Sequence, residues 1–266
     1  MLVLTMVAGW LASCKTGGTQ QPTLLATDSV TYVLPDSMCS CRIIADMPQG
    51  NDSLAMAIRS LVNSQLSLIS LDNEGSHPYA GDMTDAQAMV DYYGHLCADT
   101  MRAMRAQIPE ISCSYQAEAR LLADCEHYAT YRFSSYVYLG GAHGSAVDYA
   151  VNIAKPSGRV LTQTVDTTQI TPLQPLLAAG VRAYLADQGQ QVTDSEVRDL
   201  LFIDHGVIPL PTHAPYLTEG GLRFVYQQYE IGPYAMGMVS FTVPYDKIKP
   251  YMTTEALRLL PAQAKP

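Results

Sequence analysis

The sequence predicts an α+β protein: a mainly antiparallel sheet with packed helices, in two subdomains. Three observations carry that expectation. Stretches with the two-residue period of strands and stretches with the 3.6-residue period of helices both occur, in blocks and without regular βαβ alternation. With 48% hydrophobic and 15% charged residues, the chain has the composition of a core-forming globular protein. Its 266 residues are enough for one large domain or two small ones.

The chain opens on an apolar run, Met1 to Trp10, that leads into Leu11-Ala12-Ser13-Cys14. An apolar h-region followed by two small residues and a cysteine has the form of a bacterial lipobox, in which Cys14 becomes the lipid-modified first residue of the mature protein. The run is too short for a permanent membrane span, and no Lys or Arg precedes it. Residues 1–13 therefore read as a lipoprotein signal peptide. Residues 14–29, rich in Thr, Gln and Gly, read as a tether. The expected location is the bacterial cell envelope, lipid-anchored to the membrane and facing the periplasm or the exterior.

A strand pair is expected over 31–34 and 39–46. Asn51-Asp52-Ser53 then offers caps to a helix whose Leu54, Ile58, Leu61, Val62, Leu66 and Ile69 keep helical spacing. After a polar loop with Gly75, Pro78 and Gly81, Thr84 and Gln87 form an apparent capping box for a second helix, which Pro109 stops. From Cys113 the odd positions Tyr115, Ala117, Ala119 and Leu121 alternate with polar even ones, the mark of a strand with one wet face. Partner strands follow over 128–139 and 147–153, closed by the turn Pro156-Ser157-Gly158. A helix over 173–185, a short one opened by Thr193 and Glu196, and strands over 222–228 and 237–243 complete the series. The expected units are a helix-bearing subdomain over 30–145, a second α+β subdomain over 146–254 and a tail over 255–266.

The formal net charge of −9 repels nucleic acid and favours basic or uncharged partners. Beyond Cys14 there are Cys39, Cys41, Cys97, Cys113 and Cys125. No second short-spaced pair accompanies Cys39 and Cys41 for zinc, and most of these cysteines read as buried thiols. The sequence holds no nucleophile elbow, zinc-protease helix, phosphate loop or dinucleotide fingerprint, so no catalytic residue, metal or cofactor is assigned. Asp82 and Asp85 read as helix-start carboxylates.

Two segments stand out. Gly140-Gly141-Ala142-His143-Gly144 follows the Tyr136-Val137-Tyr138-Leu139 strand end, and three glycines around one histidine imply backbone conformations that Cβ-bearing residues reach at a cost. His143 then either faces a ligand or bonds to its own turn. The second, Tyr226 to Gly237, places Tyr229, Glu230 and Tyr234 in a proline-bearing loop between two strands, where tyrosines supply binding area or pack with satisfied hydroxyls. Tyr226 itself reads as core.

Together with Phe241-Thr242-Val243-Pro244-Tyr245, and with Asn152-Ile153 and Gly158-Arg159-Val160-Leu161-Thr162, these segments resemble the extracytoplasmic domain of RsiV-type anti-sigma factors. That domain also accompanies PdaC-type peptidoglycan deacetylases. The resemblance runs from about Tyr32 to Met252. It implies a lysozyme-binding module; the sigma-binding segment and membrane helix of the one protein, and the metal-dependent domain of the other, have no counterpart in this sequence. The expected function is a non-catalytic envelope lipoprotein that binds a lysozyme-like basic protein or peptidoglycan glycan through His143, Tyr229, Glu230 and Tyr234. The alternatives are a glycan-modifying enzyme with His143 and Glu230 as acid and base, and a structural lipoprotein without a small ligand.

Overall fold

The structure is a computed structural model. It describes residues 24–36, 38–71 and 77–261, with the backbone alone of residues 12, 13 and 194. Cys14, the tether up to residue 23, Gly75 of the polar loop and residues 262–266 lie outside the described residues.

Strands β2 (Thr27–Leu34) and β3 (Cys39–Pro48) form an antiparallel hairpin, so the folded part begins inside the expected tether. The Asp36 carboxylate accepts the Met38 and Cys39 amides at the turn, and those bonds hold its carboxyl below the usual carboxylate range. Helix α1 (Ser53–Leu68) starts at Asp52, which accepts the Ala55 amide. Its Ala55, Ile58, Val62 and Leu66 are buried, as the spacing predicts. Helix α2 (Ala86–Gln107) starts one residue later than expected. Its cap is Asp85, which accepts the Ala88 amide, while Thr84 is engaged by Asp82. With the Thr84 amide and hydroxyl both bonded to Asp82, the cap falls to Asp85 and the Thr84–Gln87 box does not form.

Both helices lie between β3 and β4 (Cys113–Asp124) in the chain, and those two strands pair in parallel. This is a crossover inside a sheet that is otherwise mostly antiparallel. The buried, odd-numbered face of β4 receives α1 and α2. The same register brings Cys39 opposite Cys113, and the two form a disulfide where buried thiols were expected. Cys41 and Cys97 stay as free thiols in the same core. A hydrogen bond between the Cys97 thiol and Cys41, together with burial, raises the Cys97 thiol.

Strands β5 (Tyr128–Tyr138), β6 (Ser145–Ala154) and β7 (Arg159–Leu161) extend the sheet by antiparallel pairing. The order is β2-β3-β4-β5-β6-β7, and a two-residue strand β1 (Ala12–Ser13) runs parallel to the end of β4. A boundary at 145/146 therefore falls inside the β5–β6 pair. Tyr149 and Ile153 of β6 belong to the first core, whereas Ala154 belongs to the second.

The second core lies under helix α3 (Ile170–Asp187), whose Leu173, Leu177, Val181 and Leu185 recur every four residues. It is closed by a three-stranded sheet of β8 (Tyr216–Leu217), β9 (Gly221–Val225) and β10 (Ser240–Pro244), order β10-β9-β8. Helix α4 (Asp194–Leu200) carries the full Thr193–Glu196 capping box read from the sequence. Helices α5 (Tyr245–Ile248) and α6 (Thr254–Leu259) follow, and buried Ala256 ties the stretch expected as a tail into this core. A buried polar node joins the two units. Asn152 Oδ1 accepts the Leu217 amide at 2.9 Å and the Thr130 hydroxyl at 3.2 Å, and Thr164 donates to the Pro215 carbonyl at 2.7 Å.

Gly180 is where α3 meets β10: a Cβ there would sit 2.2 Å from the buried Phe241 ring. Gly180→Ala gains about 1 kcal/mol of helix propensity but overpacks the contact, at a cost of ~1–3 kcal/mol. The melting temperature should fall. An unchanged or higher value in a thermal denaturation scan would show that this interface yields freely.

Candidate functional site

The β5–β6 hairpin ends in the glycine-rich turn, and the chain between β9 and β10 folds over it. What seats that loop is the outward edge of β6. At Ala146 and Asp148 the β6 backbone points away from β5, and β7 reaches only residues 152–154. Two glutamine side chains occupy the vacant edge. Gln227 Oε1 accepts the Asp148 amide at 3.0 Å while its Nε2 donates to the Asp148 carbonyl at 2.7 Å, and Gln228 Oε1 accepts the Ala146 amide at 3.0 Å. A primary amide presents the same donor and acceptor as a peptide group, so Gln227 acts as one residue of a missing strand.

With the loop held there, three of the four candidate residues meet. The His143 imidazole stacks on the Tyr234 ring at 3.9 Å and 26°, and Tyr229 lies 5.8 Å from Tyr234. The Tyr234 hydroxyl donates to the Gly144 carbonyl at 2.9 Å, the same oxygen that lies 3.0 Å from His143 Nδ1. The histidine thus bonds to its own turn and also presents an exposed ring. Tyr229 is 57% exposed and sits at φ +66°, a left-handed conformation unusual for a bulky residue. Gly144 has a local reason: a Cβ there would lie 2.4 Å from the Tyr136 ring, which packs directly against it.

Glu230 does something else. Its Oε1 accepts the Thr212 amide and hydroxyl at 2.5 and 2.9 Å, and its Oε2 accepts the Gln227 amide at 2.6 Å. Both carboxylate oxygens fix the loop, and no interaction joins Glu230 to His143, so the two residues paired as acid and base in the enzyme alternative have separate partners. Tyr226 is fully buried and its hydroxyl donates to the Pro209 carbonyl at 2.8 Å, in line with its reading as core. Among the described residues, no group of three or more His, Cys, Asp or Glu side chains could hold a metal ion, and no helix is long and apolar enough to cross a membrane.

Sequence reasoning missed four contributors. Gln227 and Gln228 carry no local signal, because their role exists only against the β6 edge. Tyr136 is legible as an aromatic strand residue but not as a neighbour of Gly144. His213, set aside as scattered, stacks face to face on Tyr149 at 3.9 Å and 4°, and Tyr149 donates to Gln65 Oε1 at 2.6 Å. Burial pushes the Tyr149 phenol up to about 12. Burial also pushes the His213 imidazole down, against the weaker opposing pull of the Glu230 charge.

Because the folded state disfavours protonated His213, the unfolded chain binds more protons there. This contribution is intact at neutral pH and is lost as pH falls through the unfolded imidazole range, ~6.5, toward the lower folded value. Denaturant unfolding at pH 7.5 and pH 5.5 should show a smaller acid loss for His213→Phe, which keeps a ring on Tyr149, than for the wild type. Equal losses would remove His213 as a source of acid sensitivity.

Residues 164–246 match the family model described as a protein of unknown function, DUF3298. A member of that family from Bacteroides fragilis NCTC 9343 has a similar structure, with TM-score 0.63 and 19% identity over 89% of this chain and 97% of that one. A DUF3298 family protein from Pseudomonas aeruginosa PAO1 matches with TM-score 0.61 and 14% identity, over 88% of this chain and 97% of that one. At these identities the likeness concerns the fold alone. No curated protein matches the chain. The segment that supplies β8 to β10 and the aromatic loop thus matches the DUF3298 model, and the chain as a whole has a fold similar to that of two structures described as members of that family.

Proposed function

We propose that this protein is a non-catalytic cell-envelope lipoprotein whose aromatic face, His143, Tyr229 and Tyr234, binds a lysozyme-like basic protein. The observation that carries the reading is Tyr229. A bulky ring held in solvent at φ +66° costs conformational energy that glycine would avoid, and such strain concentrates at ligand contacts. Two neighbouring rings, one stacked and hydrogen-bonded in place, make a preformed surface of the kind that contributes most to protein interfaces. The resemblance to the RsiV-type domain supplies the partner class, and the net charge of −9 favours encounter with a basic protein. Glu230 belongs to this site as the support of the loop. Cell-wall glycan is the second reading, favoured by the polar groove that opens beside Tyr136.

Tyr229 separates binding from folding better than Tyr234, whose hydroxyl also secures the turn. Tyr229→Gly should keep or raise the melting temperature, since glycine relieves about 1 kcal/mol of backbone strain. In calorimetric titration at physiological salt, the wild type should bind lysozyme saturably and the variant at least about tenfold more weakly. Equal affinities, or loss of binding only alongside loss of stability, would move the contact elsewhere.

Anchoring has its own test. Cys14→Ser should release the protein from the membrane fraction, and continued membrane fractionation of that variant would overturn the lipobox reading.

A further inference from the structure

The even-numbered residues of β4 form the wet face of that strand. The segment leading into β10 passes beside it, and Met238 and the sheet together enclose an open groove of about 290 Å³. Its floor follows the strand register: Gln116, Tyr136 and Ala146 form one row, Glu118, Ser134 and Asp148 the next, and Arg132 lies beyond them.

We infer that this groove is a binding site for a neutral, hydroxyl- and amide-bearing oligosaccharide, with Tyr136 as the stacking wall and Gln116 and Ser134 as hydrogen-bonding groups. The inference deepens the glycan reading above and rests on it, but it uses residues outside the aromatic face. Charge in the groove is internally spent. Arg132 holds Asp148 through two hydrogen bonds of 2.7 and 2.6 Å, and Glu118 lies 3.6 Å from Arg120, which also pairs with Asp46 at 3.0 Å. No uncompensated cation or anion is left to recruit a charged ligand. By contrast, the Gln116 amide and the Ser134 hydroxyl have no hydrogen-bond partner among the described residues, and both line the groove. In the floor, the β4 and β5 backbones are committed to ladders on both sides, and the free edge of β6 at Ala146 and Asp148 is taken by Gln228 and Gln227, so a peptide strand finds no edge to extend. Recognition there falls to side chains alone.

Tyr136 completes the argument. It is 41% exposed, and its ring lies so close to Gly144 that only the missing Cβ permits the contact. The ring is therefore a fixed wall, and an aromatic wall beside planar polar groups is the arrangement that holds a sugar's C–H face and its hydroxyls together. A volume of about 290 Å³ is near the lower end of ligand sites, ~300 Å³. Its open ends allow a chain to continue past it.

The test is titration of the full chain with cellotetraose and with the tetramer of N-acetylglucosamine, followed by calorimetry or by amide chemical shifts. Saturable binding of either is expected. Gln116→Ala and Tyr136→Ala should each weaken it at least about fivefold, whereas Tyr229→Gly leaves it unchanged. Gln116 is solvent-facing and unpartnered, so its variant keeps the fold even where the loss of Tyr136 disturbs the turn. No saturation of either tetramer up to ~10 mM, or affinity indifferent to Gln116→Ala, overturns the groove. Saccharide binding that falls only in Tyr229→Gly overturns it too, while preserving the aromatic face as the glycan site. Lysozyme binding without any saccharide binding rejects the groove and keeps the protein-binding reading.

Discussion

The arrangement of the candidate site depends on how β6 ends its sheet. A strand with one unpaired edge must satisfy those amides and carbonyls or leave them to water and to other chains. Here β7 covers only the last residues of β6, and Gln227 and Gln228 cover the first. The same bonds that close the edge hold the loop bearing Tyr229 and Tyr234 over the glycine-rich turn. Glu230 then reaches back to the Gln227 amide and across to Thr212, so the loop is braced at both ends. The aromatic cluster is a by-product of edge closure, and its geometry is as firm as that closure.

The same strand explains why the two halves behave as neighbours with a shared wall. One face of β6 puts Tyr149 and Ile153 into the first core, while Asn152 and Ala154 face the second. Asn152 and Thr130 would be costly in an apolar interface if unpaired, yet each bonds to the β8 segment, which fixes the small sheet against the large one in one register. His213 adds a ring on Tyr149 from the same direction. A change in the loop is thereby felt in both cores.

Much of this was legible in the sequence, and the exceptions share a cause. The alternation from Cys113 gave β4 its faces, the four-residue recurrence from Leu173 marked α3, and Thr193 with Glu196 marked the start of α4. Each is a local pattern written within a few residues. What escaped needed partners far along the chain. The parallel pairing of β3 and β4 depends on where α1 and α2 pack, so neither it nor the Cys39–Cys113 disulfide follows from spacing. The start of α2 failed more narrowly, because Asp85 and Thr84 are both good caps and only geometry chose between them. At the site, the three aromatic residues were marked by their glycine and proline context. The glutamines that place them and the supporting role of Glu230 were not, since an amide or carboxylate side chain says nothing about which backbone group it will meet.

The crossover between β3 and β4 has a consequence for how the molecule assembles. Strands β4, β5 and β6 are successive hairpins and can zip from nearby turns. Strand β3 cannot join them until the chain from Cys39 to Cys113, a sequence separation of 74, has been gathered in, with both helices seated between. The natural order of events is a central meander first and the amino-terminal hairpin last. Until then β4 presents an open edge to other chains, and docking of β2 and β3 closes it.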